Sequence, residues 1–285
     1  MSGAWLEPWH RAVSLLPFEW TGYEFMRLAL LAVLLIGPLL GGLGTIVVAN
    51  RLAFFSEAIG HAAFTGIALG VILGLANPLW SMVGFALLLT LAITWMRRRG
   101  GLSSDTAIGL VMAFTVSLGI VILSKGGSFS RYTNFLIGDM LGINAGDLAG
   151  LAVLAGLVGV IFLFFFNRLL LASVSPALAR SRVRQPGAAE LAFAATLAVV
   201  VTFSLPWIGI LVINALLILP AAAARNMARN TAQFFGWSVA IALLAGVIGL
   251  IVSFYASTAT GATIVLVAMG IYLVTLLQRR QSARE

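Results

Sequence analysis

Apolar runs, most of them about 20 residues long, alternate along this chain with short segments where arginine, asparagine, proline and glycine collect. A helix rises 1.5 Å per residue, so about 20 apolar residues cross a hydrocarbon core of about 30 Å. The pattern predicts spans over 25–48, within 51–75, and over 79–96, 106–124 and 148–166. Two shorter stretches, 188–205 and 207–220, flank Pro206 and read either as two short spans or as one broken pair. Spans over 234–255 and 263–277 close the series. The expectation is an all-α polytopic membrane protein of about eight or nine transmembrane helices. Its membrane domain covers 25–278, after an interfacial segment over 1–24 and before a cytoplasmic tail over 279–285.

Within that pattern two spans stand apart. The first holds Gly37, Pro38, Gly41, Gly42 and Gly44, which predicts a kinked or locally unwound helix. The second, RLAFFSEAIGHAAFTGIALGVILGL, carries Glu57 and His61 one helical turn apart, on one face that Thr65 and Ala68 extend. Gly66, Gly70 and Gly74 fall on another side and predict close approach of a neighbouring backbone. An ionisable residue at membrane depth costs at least a few kcal/mol and so marks a substrate path or proton relay.

Composition supports the membrane reading. Hydrophobic residues make up 61% of the 285 and charged ones 9%, which leaves no stretch polar enough for a separate soluble domain. The net charge of +8 comes from arginines at the ends of apolar runs, which argues for topology determinants rather than a nucleic-acid surface. Arg97–Arg99, then Arg168, Arg180, Arg182 and Arg184, then Arg225 and Arg229, and finally Arg279, Arg280 and Arg284 mark cytoplasmic loops. Counting back from them gives about nine spans with the N-terminus outside. The start lacks a charged region followed by an unbroken apolar one, so no cleaved signal peptide is expected, and Trp5, Trp9, Trp20 and Tyr23 suit an interface.

The chemistry available is narrow. There is no cysteine, and the two histidines are His10, in the amphipathic N-terminal segment, and His61. A carboxylate with an imidazole suits zinc or manganese, but the same pair can also be a buried hydrogen bond holding two helices. Asp105, after Ser103 and Ser104, reads as part of a helix N-terminus, and Asp139 as part of a polar loop or a short re-entrant helix between 134 and 143. No nucleophile elbow, HExxH or phosphate-binding GK[ST] loop is present, so the chain is not expected to be an enzyme or to hydrolyse ATP itself.

Several segments together resemble the permease family of zinc and manganese ABC transporters, the ABC-3 family. They are FFSEAIGHAAFTGIALG, SSDTAIGLV, FLIGDMLGI, LLLASVSPALAR, IGILVINALLILPAAAAR and TGATIVLV, in the family's order. The resemblance implies a permease of the type II importer kind in the prokaryotic plasma (inner) membrane, with its translocation path along the axis of a homodimer. It implies as partners two ATPase subunits and an extracytoplasmic metal-binding protein, and no permanently bound cofactor. The family's Asp and His in the second span fall on Glu57 and His61, and the change from Asp to Glu adds a methylene. The segment about 220–230 is similar to the family's coupling segment, with Ala221, Ala222, Ala223 and Ala224 seating in an ATPase groove and Arg225 and Arg229 anchoring it. Zinc is the expected cargo, with manganese or ferrous iron next. The alternatives are a gradient-driven secondary carrier that uses Glu57 as its proton or metal site, and a type II permease for a chelated metal or cobalamin.

Overall fold

The computed structural model describes residues 4–75, 77–99, 103–125, 138, 140–174 and 186–282, and among these described residues ten α-helices form. They are α1 (Glu7–Ser14), α2 (Glu24–Ala49), α3 (Ala53–Ile72), α4 (Leu79–Arg99), α5 (Ser104–Lys125), α6 (Ala145–Val174), α7 (Pro186–Ile208), α8 (Ile210–Met227), α9 (Thr231–Ala256) and α10 (Thr260–Ser282). Among the described residues, nine helices, α2 to α10, are long and apolar enough to cross a membrane. Large apolar side chains such as Phe114, Val153 and Leu266 point outward, while Thr90, Thr202 and Ser238 are buried, as suits a lipid solvent. Trp80 and Trp95 are exposed near the two ends of α4, where indole rings suit the headgroup level.

The helices form two packed units. One contains Met1–Val48, Gly138–Val160 and Leu211–Glu285, and the other Ala49–Ile137 and Ile161–Ile210.

In the first unit α2 meets α8 and α9 along its glycines. A Cβ on Gly41 would lie 2.9 Å from both Ala242 Cβ and the Ser238 carbonyl oxygen, and one on Gly42 3.0 Å from the Phe235 ring. Gly44 abuts the backbone of Leu217. The helix is continuous from Glu24 to Ala49 across Pro38, so local unwinding is not observed. Packing against α8 and α9 offsets the hydrogen bond that proline cannot donate. The N-terminal segment is tied to α2: Trp9 Nε1 donates to the Arg27 carbonyl at 2.9 Å, and Arg27 donates to the His10 carbonyl at 3.4 Å.

In the second unit α3 packs on α4, α5 and α7. Close approach is set by glycines on both sides, since a Cβ on Gly66 would lie 2.6 Å from Met82 Cα and one on Gly119 2.8 Å from Thr65 N. Gly74 has another use. It adopts φ +65° beyond the end of α3, and the Leu75 N–H bonds to the Gly70 carbonyl at 3.0 Å, a glycine C-cap rather than a packing site. Arg97 and Glu190 form an ion pair at 3.0 Å between α4 and α7.

The break expected at Pro206 lies three residues later. α7 runs through Pro206 to Ile208, and Gly209, at φ +80°, separates it from α8. Proline near the last turn of a helix removes one donor without ending it, whereas glycine reverses the backbone at little steric cost. A left-handed residue also precedes α3, where Arg51 stands at φ +57° in the short connection from α2.

Candidate functional site

The site begins with how α3 is started. Ser56, fully buried, donates its hydroxyl to the Ala53 carbonyl at 2.8 Å, and the Phe55 and Ser56 N–H groups bond to the Leu52 carbonyl at 3.1 and 3.3 Å. This tight first turn fixes the register of Glu57. At 1.5 Å per residue Glu57 lies about 6 Å, and His61 about 12 Å, along the axis from Ala53.

Four residues apart, the two side chains share one face of α3, and both are half-buried. The same face is closed further along: Thr65, buried, donates to the Thr115 carbonyl of α5, and buried Ala68 packs with Leu123. Thr65 is thus spent on holding α3 to α5, and the open part of the face is Glu57 and His61. Among the described residues neither side chain has a hydrogen bond or ion pair. The alternative reading, a Glu–His bond clamping two helices, is therefore absent among those residues.

An oxygen and a nitrogen donor four apart can bind one divalent cation, but they fill only part of its shell. Among the described residues no group of three or more histidine, aspartate or glutamate side chains comes together.

Other candidates occupy lesser positions. Asp105 is exposed in the first turn of α5, where Ser103 supplies the cap by accepting from Thr106 N at 3.1 Å. His10 is half-buried, its Nδ1 buried without a partner among the described residues. Asp139, Arg180, Arg182 and Arg184 lie outside the described residues.

The coupling segment is divided by burial. Ala221, Ala223 and Ala224 are fully buried inside the first unit, and the last two cluster with Ile241, Phe234, Ile271 and Tyr272. Ala222 is half-buried. Three of the four alanines expected to seat in a partner's groove are therefore core residues. Their side chains are enclosed by this chain's own helices. Arg225, Met227, Arg229 and Asn230 are exposed around the turn from α8 to α9. That turn is fixed by Asn230, whose Oδ1 accepts from Gln233 N at 2.8 Å, and by Gln233, whose Oε1 accepts from Arg229 N at 2.9 Å. Sequence reading missed Asn226, which links α8 to α10; its amide is an ordinary helix residue until the neighbour is known.

Comparison with known proteins identifies the family. The high-affinity zinc uptake system membrane protein ZnuB of Haemophilus influenzae is 30% identical over 260 residues, covering 91% of this chain and 99% of the relative. The manganese import system permease protein ScaB of Streptococcus gordonii is 30% identical over 253 residues, covering 89% and 91%. The solved structure of PsaBC from Streptococcus pneumoniae in complex with Fab has a chain similar in fold, with a TM-score of 0.77 at 26% identity over 92% of each chain. Residues 22–279 match the ABC 3 transport family, and with nine apolar helices among its described residues the chain belongs to that family.

Proposed function

We propose that this chain is the permease subunit of an ATP-driven importer for a divalent transition metal, zinc first, with manganese or ferrous iron next. The observation that carries the reading is the Glu57–His61 pair, half-buried on one face of a spanning helix and without a partner among the described residues. Relatives named for zinc and for manganese support the class of cargo and leave both ions in play. A borderline ion is suited by one nitrogen and one anionic oxygen from each of two copies, so a homodimer would bring four donors to a shared path. The pair is then a transit site, where binding must be weak enough to release the ion.

Energy would come from a pair of partner ATPases, and the ion from an extracytoplasmic binding protein, in a prokaryotic plasma membrane. The gradient-driven alternative is disfavoured by family membership. The first 24 residues would lie at the outer interface, with Trp5, Leu15, Phe18 and Tyr23 exposed to headgroups.

Uptake of radioactive zinc and manganese, in cells lacking other importers and expressing the cognate ATPase and binding protein, tests the reading. Glu57→Gln and His61→Ala should each lower uptake at least about tenfold, at equal membrane level and equal ATPase association. Parental uptake in both variants would refute the site.

A further inference from the structure

The end of α8 is held to the end of α10 through one amide. Asn226, half-buried next to the last residue of α8, donates Nδ2–H to Thr275 Oγ1 at 3.3 Å and accepts at Oδ1 from the Arg279 guanidinium at 3.3 Å. Thr275 is buried, and its hydroxyl donates to the Tyr272 carbonyl at 2.8 Å, so its lone pairs are free to accept from Asn226. The amide is thus oriented by two unlike neighbours, a hydroxyl on its donor side and a cation on its acceptor side. Tyr272 in turn packs against the cluster of buried Ala223, Ala224 and Ile241.

The consequence is a composite surface. Sequence alone gives Arg279 the role of a topology marker, yet it is held against the residue that follows Arg225 in the chain. Arg225, Arg229 and Arg279 are exposed, and among the described residues none of them has an acidic partner. Met227, exposed between the first two, adds an apolar contact. The turn itself is braced by Asn230 and Gln233.

We propose that the permease docks its ATPase through both helix ends, with Arg225, Arg229 and Arg279 presented to an acidic surface of that partner and Asn226 as the positioning residue that holds Arg279. This rests on the proposed ATP-driven importer and on the coupling segment about 220–230 implied by the family resemblance, and extends that segment's role to α10. Anionic lipid headgroups also attract arginine, but they need no fixed geometry. A guanidinium oriented by a half-buried amide suits a shaped protein surface better.

The test uses the full-length permease co-expressed with its tagged cognate ATPase, purified and reconstituted in nanodiscs of phosphatidylcholine alone or with phosphatidylglycerol. Arg279→Glu should cut the ATPase retained about five- to tenfold in both lipids, and Arg279→Lys should retain most of it. Arg279→Gln, which adds no repulsion, should lower retention and flatten its dependence on salt. Asn226→Ala should lower retention alone and add little on top of Arg279→Gln, a non-additivity that general loosening of the fold would not give. If Arg225→Glu releases the ATPase while every Arg279 variant binds as the parent does, this inference fails and the coupling turn stands. If neither Arg225→Glu nor Arg279→Glu changes binding, both fail. An effect confined to nanodiscs with phosphatidylglycerol would assign Arg279 to lipid and overturn the proposal.

Discussion

The Ser238 hydroxyl donates to the Gly41 carbonyl at 2.6 Å, in the same place where a Cβ on Gly41 would meet the Ser238 carbonyl oxygen at 2.9 Å. Glycine is needed there because backbones of two helices come together, and the hydroxyl uses the closeness to bridge them. Ser238→Ala should cost about 0.5 to 1.5 kcal/mol, since the Gly41 carbonyl loses only its second acceptor contact. Gly41→Leu, which forces α2 and α9 apart, should cost well over about 3 kcal/mol and lower the membrane level. Thermal unfolding in detergent, followed by fluorescence-detected gel filtration, ranks the two; equal behaviour would contradict the close approach.

A second expectation follows from the buried alanines. Ala223→Leu adds three carbons to a site with no exposed surface, and overpacking typically costs about 1 to 3 kcal/mol. The purified permease should therefore lose thermal stability even when no ATPase is present. A variant as stable as the parent, defective only in ATPase binding, would return Ala223 to the docking surface.

The Arg97–Glu190 pair offers a weaker but cleaner test. Arg97 is 29% exposed and Glu190 48%, so solvent screens the pair and its expected worth is about 0 to 1 kcal/mol. Arg97→Glu should lower the unfolding temperature slightly, and the exchange Arg97→Glu with Glu190→Arg should restore it. Absence of restoration would mean that α4 and α7 are held by apolar packing alone.

Selectivity carries the fourth expectation. Glu57→Asp shortens the acid by one methylene and restores the acid expected from the family resemblance, so uptake should persist while the ratio of zinc to manganese uptake shifts. Paired-isotope uptake at equal protein level measures it; an unchanged ratio would mean that carboxylate reach does not discriminate the ions.

The helix series was legible because each run of about 20 apolar residues has the length of a span, and Glu57 with His61 because a spacing of four always shares a helix face. Other features depend on neighbours that sequence does not display. AAAAR reads alike whether its alanines face a partner or the Ile241 cluster. Gly74 continues the four-residue spacing of Gly66 and Gly70, yet it lies beyond the helix end, where periodicity no longer assigns a face. Proline was a poor guide to the break near Pro206, because the loss of one donor close to a helix terminus is small beside the backbone freedom of Gly209.

Arg51 carries its own consequence. A non-glycine residue at φ +57° costs roughly 1 kcal/mol or more, and glycine would remove that cost. It would also remove a positive charge from the loop that leads into the helix of Glu57 and His61. At this position backbone ease and positive charge exclude one another, and the turn into α3 keeps its charge on a strained residue.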